Sequence, residues 1–154
     1  MMKKLLLSAL LSLGFLSIPF TAAEAATTKD QLVINTQLNK MDYYQNGQFI
    51  KSFTVATGKA GTPTPKGTFQ IVNKIKNRPY YTGKIKGGDP RNPLGDRWLG
   101  LNMAGTYGTT YAIHGTNNNQ AIGKWTTLGC IRMYNNDIHW LFERIPQQAT
   151  VTVK

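Results

Sequence analysis

Apolar and polar residues alternate along most of this chain in short runs with the period of a β-strand, and helical spacing is scarce. Gln31 to Asn35 reads as a strand. Met41 to Gln45 and Gln48 to Ala56 flank Asn46-Gly47, a pair that tolerates the positive φ of a two-residue hairpin turn. Gly58 to Gly67, rich in Gly, Thr and Pro, reads as a loop. Thr68 to Lys76 alternates again, with Phe69, Val72 and Ile75 on the expected apolar side. Arg78 to Gly95 carries three prolines and four glycines, so a long loop with at most one short hairpin is expected. Trp98 to Asn102 and Tyr111 to His114 read as buried strands. Asn135 to Arg144 is the one good helix, with Ile138, Leu141, Phe142 and Ile145 as its stripe, Asn136 or Asp137 as cap and Pro146 as its stop. Ala149 to Val153 closes with a strand. The pattern predicts a mainly β single domain, a sandwich or open barrel, with one helix near the C-terminus.

The first 25 residues differ in kind. Lys3 and Lys4 precede an uncharged apolar run from Leu5 to Phe20, and Ala23-Glu24-Ala25 offers a small-x-small cleavage pattern. A secretory signal peptide over residues 1–25 is expected, ahead of a retained membrane anchor, because a 16-residue run is short for a span. The domain then covers residues 26–154, outside the cytoplasm. Export changes the meaning of the net charge of +11. In the cytoplasm it would suggest nucleic acid; outside, the polyanions are wall polymers. The densest basic group, Lys74, Lys76, Arg78, Lys84 and Lys86, reads as a solvated strand face.

A single cysteine excludes an internal disulfide, and with only two histidines a metal centre is hard to assemble, so no metal and no cofactor are expected. An exported lone cysteine calls for an explanation. His114 ends an apolar strand, and Cys130 follows Gly129 and opens another, Ile131-Arg132-Met133. Fifteen residues separate the two, so a loop can bring imidazole and thiol together, the imidazole helping to ionise the sulfur. Gly129 allows backbone N–H groups close to a substrate oxygen, and Arg132 shares a strand face with Cys130. His139, early on the helix, is expected to be structural.

His-Gly-Thr at 114–116 and Thr-Thr-Leu-Gly-Cys-Ile-Arg-Met at 126–133 resemble the signature of the YkuD-type L,D-transpeptidases. Thr-Pro-Thr-Pro-Lys-Gly-Thr-Phe at 62–69, the Asn46-Gly47 hairpin and the stretch Asn92 to Asn102 fit the same layout. Thr127 stands where the family most often has Ser. The resemblance implies a peptidoglycan cross-linking enzyme acting on stem peptides: Cys130 is the nucleophile, His114 the base and Gly115 the carbonyl that orients it. Gly129 and Cys130 donate to the oxyanion, Arg132 holds a carboxylate or braces its loop, and Tyr80 and Trp98 in the segment 78–108 line the groove. Many relatives carry a wall-binding repeat domain; a chain of this length holds one domain, so wall affinity would fall to the basic surface, and a monomer is expected. An L,D-carboxypeptidase using the same thioester is the alternative enzyme, and a basic wall-binding module the non-enzymatic one. A sortase disagrees with Gly129 before the cysteine, with the His114–Cys130 spacing and with the Cys-x-Arg order.

Overall fold

The computed structural model describes residues 29–154. The signal-peptide expectation therefore lies outside the described residues; among these, no helix is long and apolar enough to cross a membrane.

Among the described residues, ten strands and one α-helix follow one another. They are β1 (Asp30–Asn35), β2 (Lys40–Gln45), β3 (Gln48–Thr54), β4 (Thr57–Gly58), β5 (Gly67–Lys76), β6 (Arg97–Leu101), β7 (Tyr111–His114), β8 (Trp125–Thr127), β9 (Ile131–Arg132), α1 (Asn135–Arg144) and β10 (Thr150–Val153). Eight of the strands form one sheet in the order β3-β2-β1-β10-β5-β6-β7-β9, and β4 pairs with β8 beside it. The sheet curls into a half-barrel, the architecture of an open barrel with one helix. Neighbours are antiparallel except at β1/β10 and β7/β9.

Period-two alternation decides which side faces inward. Leu32 and Ile34 of β1, Met41 and Tyr43 of β2, Val151 and Val153 of β10, Leu99 and Leu101 of β6, Ile113 of β7 and Ile131 of β9 point into one core, and Ile138, Leu141 and Phe142 of α1 close it. Each such side chain stabilises the fold by about 1.5–3 kcal/mol over leaving it in water. Asn46 (φ 54°) and Gly47 (φ 77°) make the β2–β3 hairpin turn.

Four local expectations need correction. On β5 the fully buried residue is Ile71, with Phe69 two positions before it packed against the core; period-two alternation turns Val72 to the other face, just where a bulge between Ile71 and Asn73 shifts the register. The segment between His114 and Cys130 is not a plain loop: it holds β8, and Thr57–Gly58, at the start of the Gly58–Gly67 loop, is the strand that pairs with it. Helix α1 starts after Tyr134 without a side-chain cap, so neither Asn136 nor Asp137 fills that role. The basic group is solvated only in part: Lys76, Lys84 and Lys86 are exposed, whereas Lys74 and Arg78 are partly buried. Lys74 is held on the Ile145 carbonyl at 2.7 Å with burial lowering its pKa, Lys76 pairs with Glu143 at 3.1 Å, and Arg78 turns toward Trp98.

Candidate active site

One row of residues crosses three strands. Trp98 on β6 is opposite His114 on β7, and His114 is opposite Arg132 on β9. Since Leu99, Ile113 and Ile131 point to the core, alternation sends this row to the other face. Cys130, immediately before β9, precedes Arg132 by two residues, so alternation directs it to the same face, diagonal to His114 in the register. The register of β7 and β9 thus brings together three residues that the sequence keeps up to 18 positions apart.

The His114 ring is buried and stacks on Trp98, centroids 5.4 Å apart and planes 17° from parallel. Its Nδ1 lies 2.7 Å from the Gly115 carbonyl. A carbonyl only accepts, so Nδ1 carries the proton and Nε2 keeps its lone pair. Burial, with the Arg132 charge adding to it, lowers the imidazole pKa to about 4; the Gly115 and Leu94 carbonyls act in the opposite sense.

Asn135 fixes the Gly115 backbone, receiving the Thr116 N–H at 2.9 Å and donating to the Thr116 carbonyl at 2.9 Å. The packing is close: a Cβ on Gly115 would lie against Asn135 Oδ1, and Gly95 of the long loop packs on Gly115 from the other side. Asn135 was legible in the sequence only as the first residue of the helix.

Cys130 is half-buried. Its Sγ donates to the Thr110 carbonyl at 3.4 Å. Burial raises the thiol pKa above the ordinary range, against the Ala112 N–H and the charges of Arg132 and Arg78. Both shifts favour the uncharged forms. A neutral thiol beside a neutral imidazole is the arrangement these directions favour over an ionised sulfur, because burial disfavours either ion there.

Thr127 holds the turn before the cysteine. Its hydroxyl donates to the Cys130 carbonyl at 2.6 Å and accepts from the Gly129 N–H at 3.1 Å, while its carbonyl takes the Thr62 hydroxyl at 3.0 Å and the Lys59 N–H at 3.1 Å. The 62–69 motif is thereby tied to the cysteine turn. Gly129 has φ of +117°, and a Cβ there would lie 2.8 Å from Tyr111 Cε1. Its N–H faces Thr127 in this state, not the open side of the turn. Thr127→Val is expected to lower stability by about 1–3 kcal/mol, since it strips a buried donor and an acceptor of their partner. Thr127→Ser should stay close to wild type. Thermal melts of the two variants check this.

Trp98 is buried rather than groove-lining, with its Nε1–H donated to the Gly108 carbonyl at 2.9 Å. Tyr80 sits in a tight turn, bridged to Ile85 and packed on Gly83, while Arg78 lies over Trp98 at 4.3 Å. His139 bonds Asp96 at 2.6 Å on the far side of Asn135, beside a polar cleft of about 170 Å³. An apolar groove of about 490 Å³ runs along Lys59 to Lys66 and the exposed Trp125, bordering β8. Among the described residues, no three His, Cys, Asp or Glu side chains gather as a metal site.

Comparison with known proteins places this geometry. The profile of the YkuD L,D-transpeptidase catalytic domain matches residues 29–153. The chain is 41% identical over 123 residues to the putative L,D-transpeptidase YqjB of Bacillus subtilis strain 168, covering 79% of this chain and 69% of YqjB. It is 37% identical over 108 residues to the putative L,D-transpeptidase YkuD of the same organism, covering 70% of this chain and 56% of YkuD. It therefore spans little more than half of the latter. In fold it is similar to an L,D-transpeptidase from Stackebrandtia nassauensis, with a TM-score of 0.66 at 20% identity over 88% of this chain and 60% of that one. An L,D-transpeptidase from Mycobacterium smegmatis gives 0.64 at 18% identity over 82% and 59%.

Proposed function

The chain belongs to the YkuD family of L,D-transpeptidase catalytic domains, and from that premise we propose that it cross-links peptidoglycan stem peptides through a thioester on Cys130. The observation that carries this reading is the β7–β9 register, which sets a free cysteine diagonal to a buried imidazole whose proton is pinned on Nδ1.

The steps follow from the protonation states. The thiol leaves the Thr110 carbonyl, Nε2 of His114 takes its proton, and sulfur attacks the carbonyl of the third stem residue. The peptide C–N bond breaks, His114 returns the proton to the leaving amine of D-Ala, and the acyl group stays on sulfur as a thioester. An amine from a second stem, deprotonated by the same imidazole, attacks that carbonyl and the thiol is restored. Because Thr127 holds the Gly129 N–H, the Cys130 N–H is the donor on this turn for the oxyanion, a contribution of about 2.7–4 kcal/mol in other acyl transferases.

Water in place of the amine would make the chain an L,D-carboxypeptidase. Muropeptide analysis after incubation with peptidoglycan separates the outcomes. Cross-linked dimers with released D-Ala are expected; tripeptides alone would establish hydrolysis, and unchanged muropeptides would leave a wall-binding module. The family reading puts the protein outside the cytoplasm, against the wall, where its positive charge favours anionic polymers.

A further inference from the structure

The positive charge around Cys130 has no carboxylate set against it. Among the described residues, ion pairs are made by Lys40, Lys51, Lys76, Arg91, Arg97 and His139, and neither Arg78 nor Arg132 takes part. Arg78 follows β5, at the opening of the long loop. Its guanidinium lies 4.3 Å from the centroid of Trp98, the ring on which His114 stacks, and 5.9 Å from that of Tyr81. One Nη2–H bond, 3.2 Å to the Thr109 carbonyl, holds it beside the residue whose carbonyl receives the thiol. That position over the ring, with a single hydrogen bond, leaves most of its five donors undirected. Both Arg78 and Arg132 act on the thiol and the imidazole in the direction of positive charge.

Position separates the two arginines. Arg132 stands on the nucleophile's own strand. Arg78 stands beyond His114, on the Trp98 side. The imidazole must protonate the leaving amine, so the departing residue lies on the His114 side of the sulfur, toward Arg78. That residue ends in a carboxylate, the planar acceptor that a guanidinium matches with two parallel N–H bonds.

We propose that Arg78 is a specificity-determining residue that binds the C-terminal carboxylate of the donor peptide, the one carried by the leaving D-amino acid. The proposal rests on the thioester reading above. It makes the enzyme selective for donors with a free C-terminus.

Paired tetrapeptide donors, one ending in the free acid and one in the amide, test it, with acylation of Cys130 followed by intact mass. The wild type should take the acid about 10–100-fold faster in kcat/KM, the range for one charge-assisted pair. Arg78→Gln should bring the acid down to the level of the amide, while the amide rate moves within about threefold. Arg78→Lys, which keeps the charge and loses the fork, should give an intermediate ratio. An acid preference that survives in Arg78→Gln overturns the proposal. Should that variant not fold, an undiminished preference in Arg78→Lys overturns it equally. Failure of both donors to acylate the wild type contradicts the thioester reading itself, which a flat acid-to-amide ratio with normal acylation does not.

Discussion

Cys130→Ala is expected to abolish release of D-Ala and formation of cross-links, a loss of about a million-fold on the scale set by deleting the nucleophile of an acyl transferase. No other thiol exists in the chain to take over. The fold should be untouched. The residue is half-buried, its sulfur makes a single long bond to the Thr110 carbonyl, and alanine keeps the Cβ and the backbone that Thr127 holds. The variant should melt within a few degrees of the wild type and show no turnover when D-Ala release is followed. Turnover near the wild-type rate would remove the nucleophile assignment.

His114→Asn is expected to cost about 10²–10⁴-fold in kcat/KM, the usual worth of a positioned general base. A neutral resting pair, toward which burial pushes both groups, sharpens this prediction. Alkylation of Cys130 by a small reagent should be slow at neutral pH in the wild type and should rise only above the ordinary thiol range, because burial raises that pKa. The asparagine variant should therefore change alkylation far less than acyl transfer. A resting ion pair would make the two fall together.

The same histidine sets the acid side. Activity requires its neutral form and should disappear as pH falls through about 4. Stability carries the matching signature. The folded pKa lies below the unfolded value of about 6.5, so the unfolded chain binds the proton first. Stability from this group is complete above that value and is lost as pH falls toward 4, by about 3 kcal/mol. Melting curves from pH 7 to 4 should fall more steeply for the wild type than for His114→Asn, and parallel curves would contradict the burial argument.

Much of this was readable before any coordinates, where the determinants are local. The Asn46-Gly47 turn, the apolar stripe of α1 and the alternation of β1, β2 and β7 each follow from neighbours a few residues apart. The motif residues His114, Thr127, Gly129, Cys130 and Arg132 are close in sequence, and their grouping needed only the pairing of two short strands. What escaped depends on distant backbone. Asn135 was legible as the helix start that it is, but not as the residue that clasps Thr116. Arg78 looked like one more surface cation, because its ring partner Trp98 is twenty positions away. The bulge on β5 leaves no compositional mark. Spacing can suggest that thiol and imidazole are neighbours, but it does not show the burial that bears on whether either is charged.

Intact-mass analysis of the protein quenched in acid after mixing with a tetrapeptide donor and no acceptor tests the central claim most directly. The account predicts a single acyl adduct with the mass of the donor less its terminal D-Ala, mapped to Cys130, labile to hydroxylamine and missing from Cys130→Ala. An unmodified enzyme that nonetheless turns the donor over, or an adduct on any other residue, would contradict it.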